Sequence, residues 1–324
     1  MIITPEKLKK WLDIKKKFTL VDTRPKNQIE QSPLKKLKYV IGNPNSIDQI
    51  KGDKILVCQF GIVTEGMILE NDLKNSYSLL GGVQAWNEFI KNNNDLSRWS
   101  RQTILEEIGM NGQKKIMKAG VAIVGMGGIG CPAATSLVAA GIGTLNIIDG
   151  DTVDLSNLPR QHLYQPGDIG KEKVSVAKRF LENISSHTKI NSFNNFLNQS
   201  NAKLYFDNID IIIDATDNIV SRQFIDKVSK EKNLPMVYGS LYKFEGQVGV
   251  FNTKSKIGYA ELFPGNISGS KTCEEAGVIG MLPVIIGNMQ ALEAIKLILN
   301  LEPNLIGKLL IYDGLHHSTE VIEL

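Results

Sequence analysis

The run Gly125-Met126-Gly127-Gly128-Ile129-Gly130 directly follows the apolar stretch Val121–Val124 and opens a small-residue segment that reads as a helix from Ile129 to Ala140. A strand, a glycine turn and a helix in that order leave few folds open. Glycine permits the tight bend and the close approach of backbone to ligand, and the amides at the helix start face outward for an anion. The next apolar run, Leu145–Ile148, ends in Asp149, 19 residues after Gly130. An acid there is placed to hydrogen-bond ribose hydroxyls, worth ~1.5–3 kcal/mol when charge-assisted. Gly125, Gly127, Gly128, Gly130 and Asp149 are therefore candidate nucleotide contacts. The blander alternative is that the glycines only let helix and sheet pack. By itself the pattern suits an NAD-dependent oxidoreductase equally well.

The alternation continues on both sides of the turn. Upstream, Phe18–Val21 and Lys54–Val57 read as strands, with helical stretches at Pro5–Leu12, Thr64–Lys74 and Val83–Ile90. Downstream, helices are expected at Lys173–Asn183, Ile219–Lys232 and Leu292–Asn300, and strands at Asp210–Ala215, Met236–Tyr238, Gln247–Asn252 and Lys308–Asp313. Strands alternating with helices predict an α/β fold, a doubly wound and mostly parallel sheet with ligands at the carboxyl ends of its strands. With 324 residues the chain is too long for one ordinary domain. The polar segment Lys91-Asn92-Asn93-Asn94-Asp95 reads as a linker between a domain at 1–92 and one at 97–324.

Composition narrows the function. A net charge of +3 is too small to argue for nucleic acid, and its excess sits in residues 1–95, with 15 Lys and Arg against 11 Asp and Glu. That reads as a solvated lysine-rich surface. Cys58, Cys131 and Cys273 form no CxxC pair, so neither a disulfide framework nor a four-thiolate zinc site follows from them. The N-terminus has no signal-peptide core, and the apolar stretch Val278–Ile286 is short and carries Pro283, so no membrane span is expected. A soluble, cytoplasmic protein is the expectation.

Residues beyond the turn separate the nucleotide readings. Asp149 is followed by Asp151, by Ser156-Asn157-Leu158-Pro159-Arg160-Gln161 and by Gly170-Lys171-Glu172-Lys173. A later strand ends in Asp214-Ala215-Thr216-Asp217-Asn218, and Arg98-Trp99-Ser100-Arg101-Gln102 lies upstream. Hydride transfer needs neither several cations near the nucleotide nor an acid at the end of that later strand. Cleavage of an α–β phosphate linkage needs both: cations to neutralise the departing pyrophosphate, and a carboxylate to hold Mg²⁺ among phosphate oxygens.

In this combination and order, running from about Arg98 to the C-terminus and joined by K-T-C-E-E-A-G-V and Q-A-L-E-A-I-K, the segments resemble the MoeB/ThiF/HesA family. These are bacterial relatives of ubiquitin-activating enzymes, with a Rossmann-like sheet. The resemblance implies an ATP-dependent adenylyltransferase that activates the C-terminal Gly-Gly carboxylate of a small ubiquitin-like sulfur-carrier protein, in a thiamine or molybdopterin type of pathway. It implies that Gly125, Gly127, Gly128 and Gly130 line the ATP phosphates and that Asp149 holds the ribose. Asn157, Arg160 and Lys173 would contact phosphates, with Ser156, Leu158 and Asn218 in the same binding set. Asp217 would carry Mg²⁺. Arg101 would reach across a two-fold interface into the partner's site, which implies a homodimer. Cys273 would attack or link to the activated carrier, whereas Cys131, inside an apolar helix, reads as core. Many relatives bind structural zinc through two CxxC pairs. Here Gly258 and Glu261 stand at the first pair's places and the tail from Tyr312 lacks cysteine, so no structural zinc is expected. The stretches Ala276–Gly280 and Gln290–Lys296 lean toward thiamine-pathway relatives.

Residues 1–92 resemble a small α/β rhodanese-like domain through Leu20-Val21-Asp22-Thr23-Arg24, Cys58-Gln59-Phe60-Gly61 and Leu80-Gly81-Gly82-Val83-Gln84-Ala85-Trp86. Cys58 would then carry a persulfide sulfur, supplied by a donor such as a cysteine desulfurase. Ile62 and Val63 stand where typical sulfurtransferases place cations, so the thiolate must depend on backbone amides and the following helix N-terminus. A degenerate docking domain is the alternative. For the whole chain the rivals are the NAD enzyme, a non-catalytic scaffold for a ubiquitin-like partner, a tRNA-modifying dehydratase, and an enzyme activating a peptide antibiotic precursor.

Overall fold

The computed structural model describes residues 1–92, 96–253, 257–264 and 277–324, and the chain divides into two compact units, Met1–Arg98 and Trp99–Leu324. In the first unit, strands β1 (Ile2–Ile3), β2 (Thr19–Asp22), β3 (Val40–Ile41), β4 (Lys54–Val57) and β5 (Ser76–Leu79) form one sheet in the order β1-β5-β4-β2-β3. Every pairing in it is parallel. Ile55 and Val57 point into one apolar cluster with Leu20, Leu79 and Trp86, and Leu56 points into another with Val21, Ile47 and Ile68. A strand buried on both faces reads as an unbroken apolar run, as Ile55-Leu56-Val57 does. The helices Pro5–Asp13, Ile62–Glu70 and Gly82–Asn92 flank the sheet. Lys91 and Asn92, expected in a linker, end the last of these; residues 93–95 lie outside the described residues.

The second unit is built on β6 (Gly120–Val124), β7 (Thr144–Ile148), β8 (Lys189–Phe193), β9 (Ile211–Asp214), β10 (Met236–Tyr242), β11 (Glu245–Phe251), β12 (Lys308–Asp313) and β13 (Ser318–Glu323). Their order is β13-β12-β11-β10-β9-β6-β7-β8. Strands β8, β7, β6, β9 and β10 pair in parallel, and β10 through β13 pair antiparallel. From β6 the chain crosses first to β7 on one side and later to β9 on the other. The carboxyl ends of β6 and β9 therefore mark the switch point, where such sheets bind ligands.

Val121, Ile123, Leu145 and Ile147 pack on one face with the helices Gly130–Ala140, Lys173–Ile184 and Met281–Leu299, and Ala122, Val124, Ile148 and Ile212 pack on the other, where Ile225 of the helix Ile219–Lys232 covers them. Helix Met281–Leu299 takes in most of the apolar stretch that ends at Ile286. Pro283 sits in its first turn, where the missing N–H costs no intrahelical bond. By length and composition this helix is long and apolar enough to cross a membrane. Its residues Leu282, Ile286, Ala291 and Ala294 are nonetheless part of the unit's core. Fully buried Gln290 fastens it to the sheet, donating from Nε2 to the carbonyls of Asp214 (2.7 Å) and Val237 (3.0 Å).

Candidate functional site

A cleft of about 680 Å³ opens at the carboxyl ends of β6, β7 and β9. Its floor is the glycine turn. Gly125 has φ +95°, and a Cβ on it would stand 2.6 Å from the carbonyl oxygen of Ala215, so the turn presses against the end of β9. A Cβ on Gly130 would stand 1.9 Å from the carbonyl oxygen of Gly125, which makes this glycine a packing requirement of the turn. Gly125, Gly127 and Gly128 line the cleft; Gly130 is not among its lining residues.

Asp149 closes β7 and is 8 % exposed. One carboxylate oxygen accepts the Met126 amide at 2.7 Å and the other accepts the Asp151 amide at 2.8 Å. Burial pushes this carboxyl above the ordinary value, opposed by the charge of Lys173 and by the two amide bonds. A carboxylate has about four acceptor sites, so Asp149 keeps acceptor capacity after it has stapled the glycine turn to the strand end.

The cations arrive on two segments. Asp154 caps the short 3₁₀ turn Leu155–Asn157 by accepting the Ser156 amide at 2.8 Å, which fixes the loop carrying Arg160. Arg160 donates to the Ser156 carbonyl at 2.7 Å. Lys173 is the first residue of its helix, 6 % exposed, with Nζ 3.0 Å from the Asp151 carboxylate. Ser156, Asn157, Arg160 and Lys173 all line the cleft, and Leu158 does not.

The strand β9 delivers the opposite wall. Buried Asp214 accepts from both the amide (3.0 Å) and the hydroxyl (2.6 Å) of Thr216, and Arg222 donates to the Thr216 carbonyl at 2.8 Å while facing Asp214 at 3.5 Å. Burial pushes the Asp214 carboxyl up, and the neighbouring guanidinium opposes it. This brace holds the turn from which Asp217 projects, exposed, into the cleft. Asn218 beside it caps the helix Ile219–Lys232, accepting the Ser221 amide at 2.8 Å.

Arg101 is exposed on the short helix Ser100–Thr103 and does not line this cleft, and Cys273 lies outside the described residues. Cys131 is buried beneath the glycine turn, its Sγ 3.3 Å from the Met126 carbonyl, and burial pushes its thiol up to about 12. Cys58 belongs to the first unit, at the end of β4. Its sulfur accepts the Gly61 amide at 3.1 Å and lies 3.6 Å from the Thr64 hydroxyl. Burial works against the thiolate, but the amide and hydroxyl of Thr64 and the amides of Phe60 and Gly61 outweigh it and hold the thiol below its ordinary value. Phe60, Ile62 and Val63 are exposed around that loop.

The structure adds residues to the cleft that the sequence does not single out. Gln161 follows Arg160 on the capped loop, Arg222 reaches in from one turn inside its helix, and Asn195-Phe196-Leu197 after β8 forms a further wall. The DATDN run stops four residues short of Arg222. Strand β8 has only Ile190 buried, so its apolar signal is weak.

A model of the ThiF family, described by that name, matches residues 99–324. Adenylyltransferase and sulfurtransferase MOCS3 of Culex quinquefasciatus is 41 % identical over 231 residues, covering 70 % of this chain and 52 % of that protein. Sulfur carrier protein adenylyltransferase of Thermus thermophilus is 36 % identical over 234 residues, covering 69 % of this chain and 85 % of that protein. The crystal structure of PaaA superposes with a TM-score of 0.60 at 27 % identity, covering 71 % of this chain and 82 % of that one. The chain spans about half the length of the MOCS3 relatives it matches. Through the match over residues 99–324, the chain belongs to the ThiF family.

Proposed function

We propose that this chain is an adenylyltransferase that uses ATP to activate the C-terminal carboxylate of a small ubiquitin-like sulfur-carrier protein for thiocarboxylate formation. The observation that carries the reading is one cleft holding the glycine turn, Asp149, Arg160, Lys173 and an exposed Asp217 on the adjacent strand end. The names of the two relatives above, an adenylyltransferase and sulfurtransferase and a sulfur carrier protein adenylyltransferase, favour the same substrate class.

A free carboxylate is a poor electrophile. In adenylation its oxygen attacks the α-phosphorus of ATP, the bridging α–β P–O bond breaks, and pyrophosphate leaves. The acyl-adenylate that remains carries AMP as a good leaving group. Arg160 and Lys173 supply positive charge along the phosphates, and the amides of the glycine turn orient them. Among the described residues no group of three or more His, Cys, Asp or Glu side chains is arranged to hold a metal ion. The exposed Asp217 carboxylate, with Asn218 beside it, would hold a Mg²⁺, an ion that binds through one or two carboxylates and substrate phosphates and not through an all-protein cage. When bound there, the ion would supply positive charge against the phosphates. Arg101, exposed and outside its own chain's cleft, is the residue this reading assigns to the partner site of a homodimer.

The first unit, on this reading, is a rhodanese-like domain whose Cys58 receives sulfur as a persulfide; its outer sulfur attacks the acyl-adenylate carbonyl, AMP leaves, and a second thiol cleaves the resulting acyl disulfide, releasing the thiocarboxylate and leaving a disulfide with Cys58. The amide-lined loop at the end of β4 and the lowered thiol support it.

The test is to mix the protein and Mg·ATP with candidate thiamine-type and molybdopterin-type carriers and follow the carrier by intact mass. A carrier gaining the mass of AMP is expected. In Asp217→Ala, tail-dependent exchange of pyrophosphate into ATP should fall by roughly 10²-fold, the scale of losing one electrostatic stabiliser. Exchange at the native rate in that variant would remove Asp217 from its role, and no AMP-linked carrier under any pairing would remove the function.

A further inference from the structure

The sulfur of Cys58 is met by two neutral donors, the Gly61 amide at 3.1 Å and the Thr64 hydroxyl at 3.6 Å. Beyond Thr64 stands Ser78 of β5, a strand whose register sets Ser78 beside Leu56, two residues before Cys58. The Thr64 and Ser78 hydroxyl oxygens lie 2.7 Å apart. Both also reach the Gly61 carbonyl, Ser78 at 2.8 Å and Thr64 at 3.0 Å. Thr64 is 0 % and Ser78 2 % exposed, so neither hydroxyl has water as an alternative. Arg24, paired with Asp22 at 2.8 Å, meets the loop at the Gln59 carboxamide (2.9 Å).

A hydroxyl carries one hydrogen and donates once. The hydrogens of Thr64 and Ser78 therefore face more acceptors than they can serve: the Gly61 carbonyl, the Cys58 sulfur and each other's oxygen. When Ser78 donates to the carbonyl, at the shorter of the two distances, Thr64 is left to donate to the sulfur. Without Ser78 the buried carbonyl keeps the Glu65 amide at 3.3 Å and competes with the sulfur for the Thr64 hydrogen. We propose that Ser78 is a positioning residue for sulfur transfer, occupying the Gly61 carbonyl so that the Thr64 hydroxyl turns to Cys58. This rests on the reading of Cys58 as the sulfur-carrying residue. In that step the Cys58 thiolate attacks the outer sulfur of a donor persulfide. A new S–S bond forms, the donor's S–S bond breaks, and the donor thiolate leaves with the electron pair. Ile62 and Val63 bring no charge to the loop, so hydrogen bonds have to hold the nucleophile, and they outweigh the burial that opposes it.

The experiment follows modification of Cys58 by methyl methanethiosulfonate, read on its own peptide by mass spectrometry across a pH series. It compares the full native chain with Thr64→Val, Ser78→Ala and the double variant, and records urea unfolding of each. At pH 7, Thr64→Val is expected to react about tenfold more slowly, the loss of one hydrogen bond to a charged group. Ser78→Ala is expected to slow by about fivefold on the same ground. The double variant should match Thr64→Val within about twofold, because Ser78 acts only through Thr64. All three midpoints should move upward in pH. A native rate in Ser78→Ala overturns the assignment. So does a double variant slowed by both factors multiplied, which would put Ser78 on a separate route. A Ser78 that only packs would lower the unfolding midpoint and leave the pH series unmoved. Glutathione persulfide, added to the native chain, separates the two readings. If no persulfide mass appears on Cys58, the sulfur-carrying reading falls and takes this one with it. If it appears and Ser78→Ala keeps the native pH series, only the assignment of Ser78 falls.

Discussion

Two cysteines in one chain illustrate how surroundings decide reactivity. Cys131 is buried under the glycine turn and its thiol is pushed up to about 12, so near neutral pH it is a small apolar residue. Cys58 is nearly as hidden in area but meets hydrogen-bond donors on the loop that follows it. A thiol whose folded value is lowered is ionised at lower pH than a free one. Modification of Cys58 by methyl methanethiosulfonate should therefore rise with a midpoint below the ordinary 9.0, while Cys131 stays unmodified through that range. Thr64→Val removes the hydroxyl beside the sulfur and should move the Cys58 midpoint upward, read by mass spectrometry across a pH series. Equal labelling of both thiols would contradict these environments. At this scale the sequence is informative wherever chemistry is carried by residue type and spacing. Gly125, Asp149, Arg160, Lys173 and Asp217 all announce themselves that way, and all line one cleft. Gln161 and Arg222 do not, because a glutamine or arginine on a helix or loop is ordinary until its burial and its partners are seen.

The elements are legible where burial imposes a period. The strand Lys54–Val57 and the helix Ile219–Lys232 follow directly from their apolar patterns. Strand β5 escapes because Ser76 and Ser78 occupy inward positions, satisfied there by bonds such as that from Ser78 to the Gly61 carbonyl. Strand β13 escapes because all six of its residues are exposed and carry no alternation. The helix Met281–Leu299 is longer than its pattern suggests because Pro283, which ends helices in their interior, is tolerated in a first turn. The glycine turn makes the clearest prediction at this scale. Gly130→Ala places a methyl 1.9 Å from the Gly125 carbonyl oxygen, and relief requires the turn itself to move. A loss of about 1–3 kcal/mol in denaturant unfolding is expected, together with weaker ATP binding. An unaltered unfolding midpoint would show that the turn has room which the geometry denies.

At the scale of the molecule, the sequence divides where the pattern of sheets does. Each unit has its own sheet and its own apolar clusters, the first in Leu20, Ile55 and Trp86 and the second in Val121, Ile147 and Ile213. Residues 97–324 expressed alone should therefore fold and keep carrier-dependent pyrophosphate exchange. Residues 1–92 alone should convert thiosulfate and cyanide to thiocyanate with a persulfide mass on Cys58. Exchange that vanishes on separation would show that the second unit is incomplete by itself, and absent thiocyanate would favour a docking role for the first. Within the second unit the helix Met281–Leu299 begins at the cleft, is fastened near its middle by Gln290, and ends with Leu299 against Gly112. Bonded there to the carbonyls of two neighbouring strands and packed in the core on either side of that point, the helix has a single register against the sheet, set on the very strand that presents Asp217.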